Sequence, residues 1–245
     1  MLGISVATLT IWGLRLAIAS PVLAVFCIAI FRFGIIEFRL PFLGLVLAVL
    51  LAAIALLLSA GALIGGLGSG SSGDGVHMQR AAIALVLALV MLFPPLNTVR
   101  KGGNVPPIHD ISTDLDTPPI FEAVPATRGA NDNSLALDEK VQAAQKAFYT
   151  ALAPLSLSGS AGDNFAKALA AAEGMGWEIV TQNADTGIIE ATATTTLFGF
   201  KDDVIIRLSD ANGGTRVDMR SASRAGLSDL GANAARIEAY FAALK

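Results

Sequence analysis

The sequence predicts three transmembrane α-helices followed by an α+β domain, an antiparallel sheet of about four strands with helices mainly on one face. Three observations carry that prediction. The 245 residues are 53% hydrophobic and 15% charged, whereas a soluble globular chain is nearer a quarter charged. The charge is unevenly spread: Arg15, Arg32, Arg39, Arg80, Glu37 and Asp74 are the ionic residues before Arg100, and every other one follows. Beyond residue 176 the apolar period changes from that of a helix to the alternation of strands. The same numbers exclude several classes. Disorder needs low hydrophobicity and high net charge, and a formal charge of −3 leaves no basic footprint for nucleic acid. One cysteine rules out an intrachain disulfide framework and a multi-cysteine metal site.

The membrane part is expected over residues 1–99, with spans near 11–31, 41–64 and 80–96. A span needs about 20 apolar residues to cross a core about 30 Å thick. The first stretch holds one charge, Arg15, near its start, where a long side chain can snorkel to the interface. The second holds none, and the third is short, with Pro94 and Pro95 expected to close it and an interfacial or re-entrant helix as the alternative to a span. Residues 1–10 contain no Lys or Arg and a second apolar stretch follows closely, so the first span reads as a retained helix rather than a signal peptide. Pro21 predicts a kink, and Cys27 is expected to pack as a small apolar side chain. Residues 65–75 (GGLGSGSSGDG) read as a flexible Gly/Ser connector. They lack the preceding strand and the following Lys-Ser/Thr of a phosphate loop.

Residues 104–245 are long enough for one domain. A proline-marked segment, 105–119, reads as coil laid over a surface. A helix is expected over 138–152, with Val141, Ala144, Phe148 and Leu152 on one stripe and Asp138 near its cap. A second is expected over 164–173, capped by Asp163. Strands follow at 177–182, 188–195, 203–208 and 215–221, the last two joined by Asp-Ala-Asn-Gly-Gly, a strong hairpin signal. Val204, Ile206, Leu208, Val217 and Met219 share one face of that hairpin, and Arg216, Asp218 and Arg220 the other. A last helix, about 228–244, supplies the cover through Leu230, Ala234, Ile237, Phe241 and Leu244.

Three strings, IHDISTDLDTPPIF (108–121), FKDDVIIRL (200–208) and VDMRSASRAGLSDLGANAARI (217–237), resemble the family called domain of unknown function 1499. They occur in the family's order across the soluble part, and an apolar multi-span start also resembles its bacterial members. The resemblance implies an address, the cell envelope and the bacterial-type inner membrane, and no reaction, substrate or cofactor. It also bears on topology. Bacterial members with a similar start carry basic residues before the first span and between the second and third, which places the soluble domain in the periplasm. Here that N-terminus and connector are nearly uncharged. With three spans, Arg32, Arg39, Arg100 and Lys101 share one side against Arg80 and the in-span Arg15, and the positive-inside rule would make that side cytoplasmic. The periplasmic placement is the one expected here, with the cytoplasm as the alternative.

Two constellations could carry chemistry. His109, Asp110, Asp114 and Asp116 place a histidine and three carboxylates close together, as a cation site or an oriented general base would. Their spacing fits neither an EF-hand nor HExxH, and Asp in such turns commonly binds its own backbone. Arg220, Ser221, Ser223 and Arg224, followed by Ser228 and Asn233, would set guanidinium groups beside a helix N-terminus and suit an anion. The competing reading is that Ser228 or Asp229 caps the helix and the arginines pair with Asp202, Asp203 and Asp218. No serine occupies a Gly-x-Ser-x-Gly elbow, and a hydrolase would have to join His109 and Asp110 to Ser221 or Ser223 in space. The expected function is therefore an integral membrane protein whose soluble domain binds an anionic ligand, a lipid head group or an envelope protein at the membrane surface. The alternative is a membrane-tethered hydrolase or metal-dependent enzyme using His109 and the aspartates. The lipid bilayer is the expected partner, nucleic acid is not, and no cofactor-binding motif is present.

Overall fold

The computed structural model describes residues 5–69 and 75–245. The chain forms two compact units, one up to Lys101 and one from Gly102 to Lys245. In the first, α1 (Val6–Arg32), α2 (Arg39–Ser69) and α3 (Gly75–Gly102) contain 27, 31 and 28 residues. Each is long and apolar enough to cross a membrane. Lipid gives little hydrophobic drive for helix association, so close packing of small residues must supply it. The buried positions follow that rule: Gly13, Ala17, Ala24 and Cys27 on α1, Ala48, Ala52, Ala55 and Ala62 on α2, Ala81, Ala84 and Ala88 on α3. The Ser20 hydroxyl donates to the Ala48 carbonyl across the seam at 2.8 Å. Cys27 packs as expected, its sulfur seated against Gly44, where no Cβ would fit.

Two membrane expectations change. The Gly/Ser connector is helical at both its ends, with α2 continuing to Ser69 and α3 beginning at Gly75, while residues 70–74 lie outside the described residues. Gly65 and Gly66 act as packing surfaces, since a Cβ on them would come within 3.0 Å of Val6 and 3.1 Å of Met78. Pro94 and Pro95 do not end α3, which runs on to Gly102. A proline's fixed φ is helical, and what it removes is a donor; one turn later the Thr98 hydroxyl donates to the Pro94 carbonyl at 3.0 Å. Pro21 likewise lies inside a continuous α1.

The second unit is an α+β domain with six strands rather than about four. The added ones are β1 (Asp110–Ser112) and β2 (Leu155–Ser158). The rest are β3 (Glu178–Asn183), β4 (Ile188–Thr194), β5 (Lys201–Ala211) and β6 (Gly214–Ser223). All pairings are antiparallel, in the order β1-β6-β5-β4-β3, with β2 also on the outer edge of β6. β1 and β2 are short and lie in segments broken by prolines, so their own residues carry little strand signal; the free edge of β6 recruits them. At Gly187 (φ +68°) the β3–β4 turn passes so close to the Leu208 carbonyl that a side chain has no room.

Helices α4 (Glu139–Phe148), α5 (Ala161–Gly174) and α6 (Ala232–Leu244) complete the unit. Asp138 caps α4 as expected, accepting from the Lys140 N–H at 2.8 Å. The helix stops at Phe148, however, and buries Gln145, whose amide bonds both the N–H and the carbonyl of Ser112 and so closes the edge of β1. The α5 cap is Ser160, with Asp163 completing a capping box from the first turn. α6 begins at Ala232 rather than near 228, and Asp229 still reaches its first turn through the Asn233 N–H at 3.1 Å. The main core lies between one sheet face and α5 and α6: Ile189, Val204, Ile206, Val217 and Met219 meet Phe165, Ala168, Ile237 and Tyr240. Tyr240 satisfies its hydroxyl by donating to the Ala168 carbonyl at 2.8 Å.

Candidate functional site

Strand alternation puts Glu190 and Thr192 of β4, Asp203 and Arg207 of β5, and Arg216, Asp218 and Arg220 of β6 on the sheet face opposite α5 and α6. This face is not open to solvent. The segment 113–137 crosses it, and a second, small core of Phe121, Val124, Ile205 and Ala222 forms beneath. Each buried charge there has a partner. Asp203 accepts from Arg128 at 2.6 Å, from Arg224 at 2.7 and 2.9 Å, and from the Thr192 hydroxyl at 2.8 Å. Arg224 also donates to the Thr127 carbonyl at 2.9 Å. Burial pulls the Arg128 pKa below its ordinary value despite the Asp203 charge beside it. The Glu190 carboxylate accepts from the N–H groups of Glu122, Ala123 and Val124, at 2.7 Å for the first and last, where a single 3₁₀ turn begins.

Arg220 is 1% exposed. Its guanidinium grips Asp110 at 2.6 and 3.0 Å, donates to the carbonyls of Pro119 and Leu135, and stacks over Phe121 at 5.3 Å. Asp114 accepts from Thr117 and the Asp116 N–H within its own turn, and from Arg207 at 3.1 Å and Arg216 at 3.0 Å. Burial works to raise its pKa, but the Thr117 and Asp116 hydrogen bonds and the Arg216 charge outweigh it, so Asp114 lies below the usual carboxylate value. Asp218 bridges Arg207 and Arg216 on the other side, and its hydrogen bond is the main reason the Arg216 pKa is raised.

The expected anion group is therefore divided by the sheet. Arg220 and Arg224 lie on the face under segment 113–137 and spend their donors on Asp110, Asp203 and carbonyls. Ser221, Ser223 and Asn233 lie on the helix face in a network of their own. Ser221 meets the Asn233 amide oxygen at 2.7 Å, the Asn233 amide donates to Ser223 and to the His109 carbonyl, and Arg236 joins Ser221 to Asp202. Ser228 lies in the loop before α6 and accepts from the Leu230 N–H. The arginine partners are Asp203 and Asp110; Asp202 goes to Arg236, and Asp218 to Arg207 and Arg216.

The His109 group is also spread out. Asp110 faces Arg220, Asp114 faces Arg207 and Arg216, and Asp116 is exposed. Among the described residues no three His, Cys, Asp or Glu side chains are placed to share a metal ion. His109 itself lines an open groove between β1 and the first turn of α4, with Asp110, Asn133, Ser134, Leu137 and Asp138. Sequence reasoning missed Glu190, Arg128, Gln145 and Arg236. Glu190 left a trace, a lone acid inside an alternating apolar strand. The other three look like ordinary surface polar residues until their partners arrive from far along the chain.

Neither a curated protein nor a solved structure matches the chain. The model of a family described as protein of unknown function (DUF1499) matches residues 110–244, which begins at β1 and spans the sheet, the crossing segment and all three helices of this domain. The chain belongs to that family.

Proposed function

We propose that this integral membrane protein holds its C-terminal domain at the surface of a bacterial-type cytoplasmic membrane as a non-catalytic binding module, on the periplasmic side. It would take an anionic ligand, a lipid head group or an envelope protein there. The observation that disfavours catalysis is the pairing: Asp110 and Asp114 are engaged by arginines that hold the fold together. Arg220 and Arg224 are committed to Asp110 and Asp203 in turn, so binding falls to the groove beside His109. A group consumed in that way is poorly placed to exchange protons with a substrate. Besides the exposed Asp116, the groove beside His109 is left open, and there Lys140 and His109 would meet an anion against the acids Asp110, Asp138 and Glu139. Inorganic phosphate and phosphatidylglycerol, titrated into the full chain in nanodiscs, are the probes. Saturable binding weakened by Ser134→Trp in the groove, with ester and phosphoester hydrolysis at background, is the expected result.

A second reading, a tethered hydrolase using His109, keeps one observation in its favour, the open position of that histidine in the groove. Hydrolysis of a nitrophenyl ester or phosphate that disappears in His109→Ala would establish it and overturn the first. A reporter active on one side of the membrane, fused after Lys245, tests the periplasmic placement, and cytoplasmic activity refutes it.

A further inference from the structure

The two ends of the β-sheet differ in chemistry. At one end lie the β3–β4 turn with Asp185, the β5–β6 hairpin with Asp210, and the start of α5 with Asp163. At the other lie the β4–β5 loop, closed by the pair Thr194↔Lys201, and the β6–α6 loop, whose first residue Arg224 donates its N–H to the Lys201 carbonyl at 3.0 Å. The entering chain reaches this second end as well, since Asp110 pairs with Ala222 and the Asp229 N–H donates to the Ile108 carbonyl at 3.0 Å. The tips here are Thr-Thr-Leu-Phe-Gly-Phe (195–200), Ala-Gly-Leu-Ser-Asp-Leu-Gly (225–231) and Gly-Asn-Val-Pro-Pro (103–107). Leu227 is 82% exposed and Leu197 62%. The sole acid in these three tips, Asp229, turns its carboxylate inward to the N–H groups of Gly231 and Asn233.

The geometry points to a lipid surface as the occupant of this end: Leu197 and Leu227, on the loop tips, seat the domain in the bilayer interface. One further fact favours lipid over a soluble partner, the point at which the chain enters. The chain enters the domain here at Gly102, where Leu230 packs against it. Gly102 follows the last apolar residue of the third span, Val99, by three residues of α3. Three helical residues extend about 4.5 Å, less than the roughly 5–7 Å of one headgroup layer, so the covalent tether to this end is short enough for the tips to reach the interface. Charge is mixed at this end: the exposed Lys201 suits anionic headgroups, while the α5–β3 turn brings the exposed Glu173 and Glu178 to the same end, so the apolar tips and the tether carry the seating. Large apolar side chains on uncharged tips are what an interfacial anchor needs. This seating shares with the binding-module reading only the membrane address, and it stands or falls whatever the His109 groove binds.

The test uses the full chain carrying Cys27→Ala, reconstituted in vesicles of phosphatidylcholine and phosphatidylglycerol. An environment-sensitive fluorophore is attached at Leu197→Cys, at Leu227→Cys, or at Asn212→Cys on the far hairpin. Quenching by a lipid carrying a nitroxide near the head of its acyl chain is expected to be several-fold stronger at 197 and 227 than at 212, and quenching by aqueous iodide several-fold weaker. Equal iodide access at all three positions overturns the inference. So does shielding at 197 and 227 without lipid quenching, or shielding that grows with protein concentration, since a second copy would then cover these loops. Hydrogen exchange matching the unlabelled chain shows that each variant is folded, and the two tips provide independent readings.

Discussion

The two faces of the β-sheet are both buried, yet different physics holds each cover in place. On the α5–α6 face, Val204, Ile206, Val217 and Met219 meet a helix layer, and any apolar residue of suitable volume serves nearly as well. On the opposite face a coil with little regular structure is held by charged groups: Glu190 gathers three backbone N–H groups, Asp203 gathers two arginines, and Arg220 holds two carbonyls of the crossing chain. A coil cannot satisfy its own backbone as a helix does, so its polar groups need partners brought from the sheet. The comparison teaches that a charged sheet face need not be a wet one. Here the charges replace the hydrogen bonds that the missing helix would have made.

That contrast can be broken in stages, with unfolding of the full chain in nanodiscs followed by hydrogen exchange at β5 and β6. Asp203→Ala strands Arg128 and Arg224 together and is expected to cost about 3–5 kcal/mol, as much as the apolar-face truncation Ile206→Ala at about 2–5 kcal/mol. A loss near zero for Asp203→Ala would show that the ion pairs do not hold the cover. Glu190→Gln keeps one acceptor oxygen for three N–H groups and brings an unmatched amide donor, a loss of about 1–3 kcal/mol. Proteolysis is expected to cut first within 113–137 in this variant. The pair exchange Asp110→Leu with Arg220→Met removes both charges at once. It is expected to regain most of what Arg220→Met alone loses, because a buried pair costs most when broken on one side.

The smallest effects are those of pH, and they have opposite signs at two aspartates. Asp114 is shifted below its ordinary value of 3.8, so its contribution is complete above that pH and is lost as the pH falls through the lower, folded value. Asp114→Asn is expected to flatten the acid limb of the stability curve. Asp229 is shifted upward, chiefly by burial, against the Gly231 and Asn233 hydrogen bonds. Its carboxylate therefore weakens the fold as the pH rises from 3.8 through the higher, folded value. Relative to the parent chain, Asp229→Asn is expected to gain stability over that window; a gain on acidification instead would reverse the assignment.

Much of the architecture was legible because local signals repeat. The long uncharged apolar runs give the three membrane helices, and the period-two segments give β3 to β6 to within a few residues, since side-chain alternation is a property of each strand alone. The Asp138 cap was readable for the same reason. β1 and β2 were not, because three or four residues become strands only when an edge is offered to them. The candidate site was legible in part: the sequence offered Arg224 an acidic neighbour, Asp203, but Arg220 takes Asp110, from a segment more than a hundred residues earlier.

The sequence by itself determined that this is a membrane protein with an α+β domain and which strand residues face the apolar core, because hydrophobicity and its period are written locally; Phe148 and Leu230, expected in that core, are exposed. Only the tertiary structure decided that the charged face is roofed over and that the candidate anion residues fall on opposite sides of the sheet. The same holds for the gathering of the apolar loop tips at the end where the chain enters. Those outcomes depend on which distant segments come together, and an ion pair or a shared surface leaves no trace in either partner's own neighbourhood.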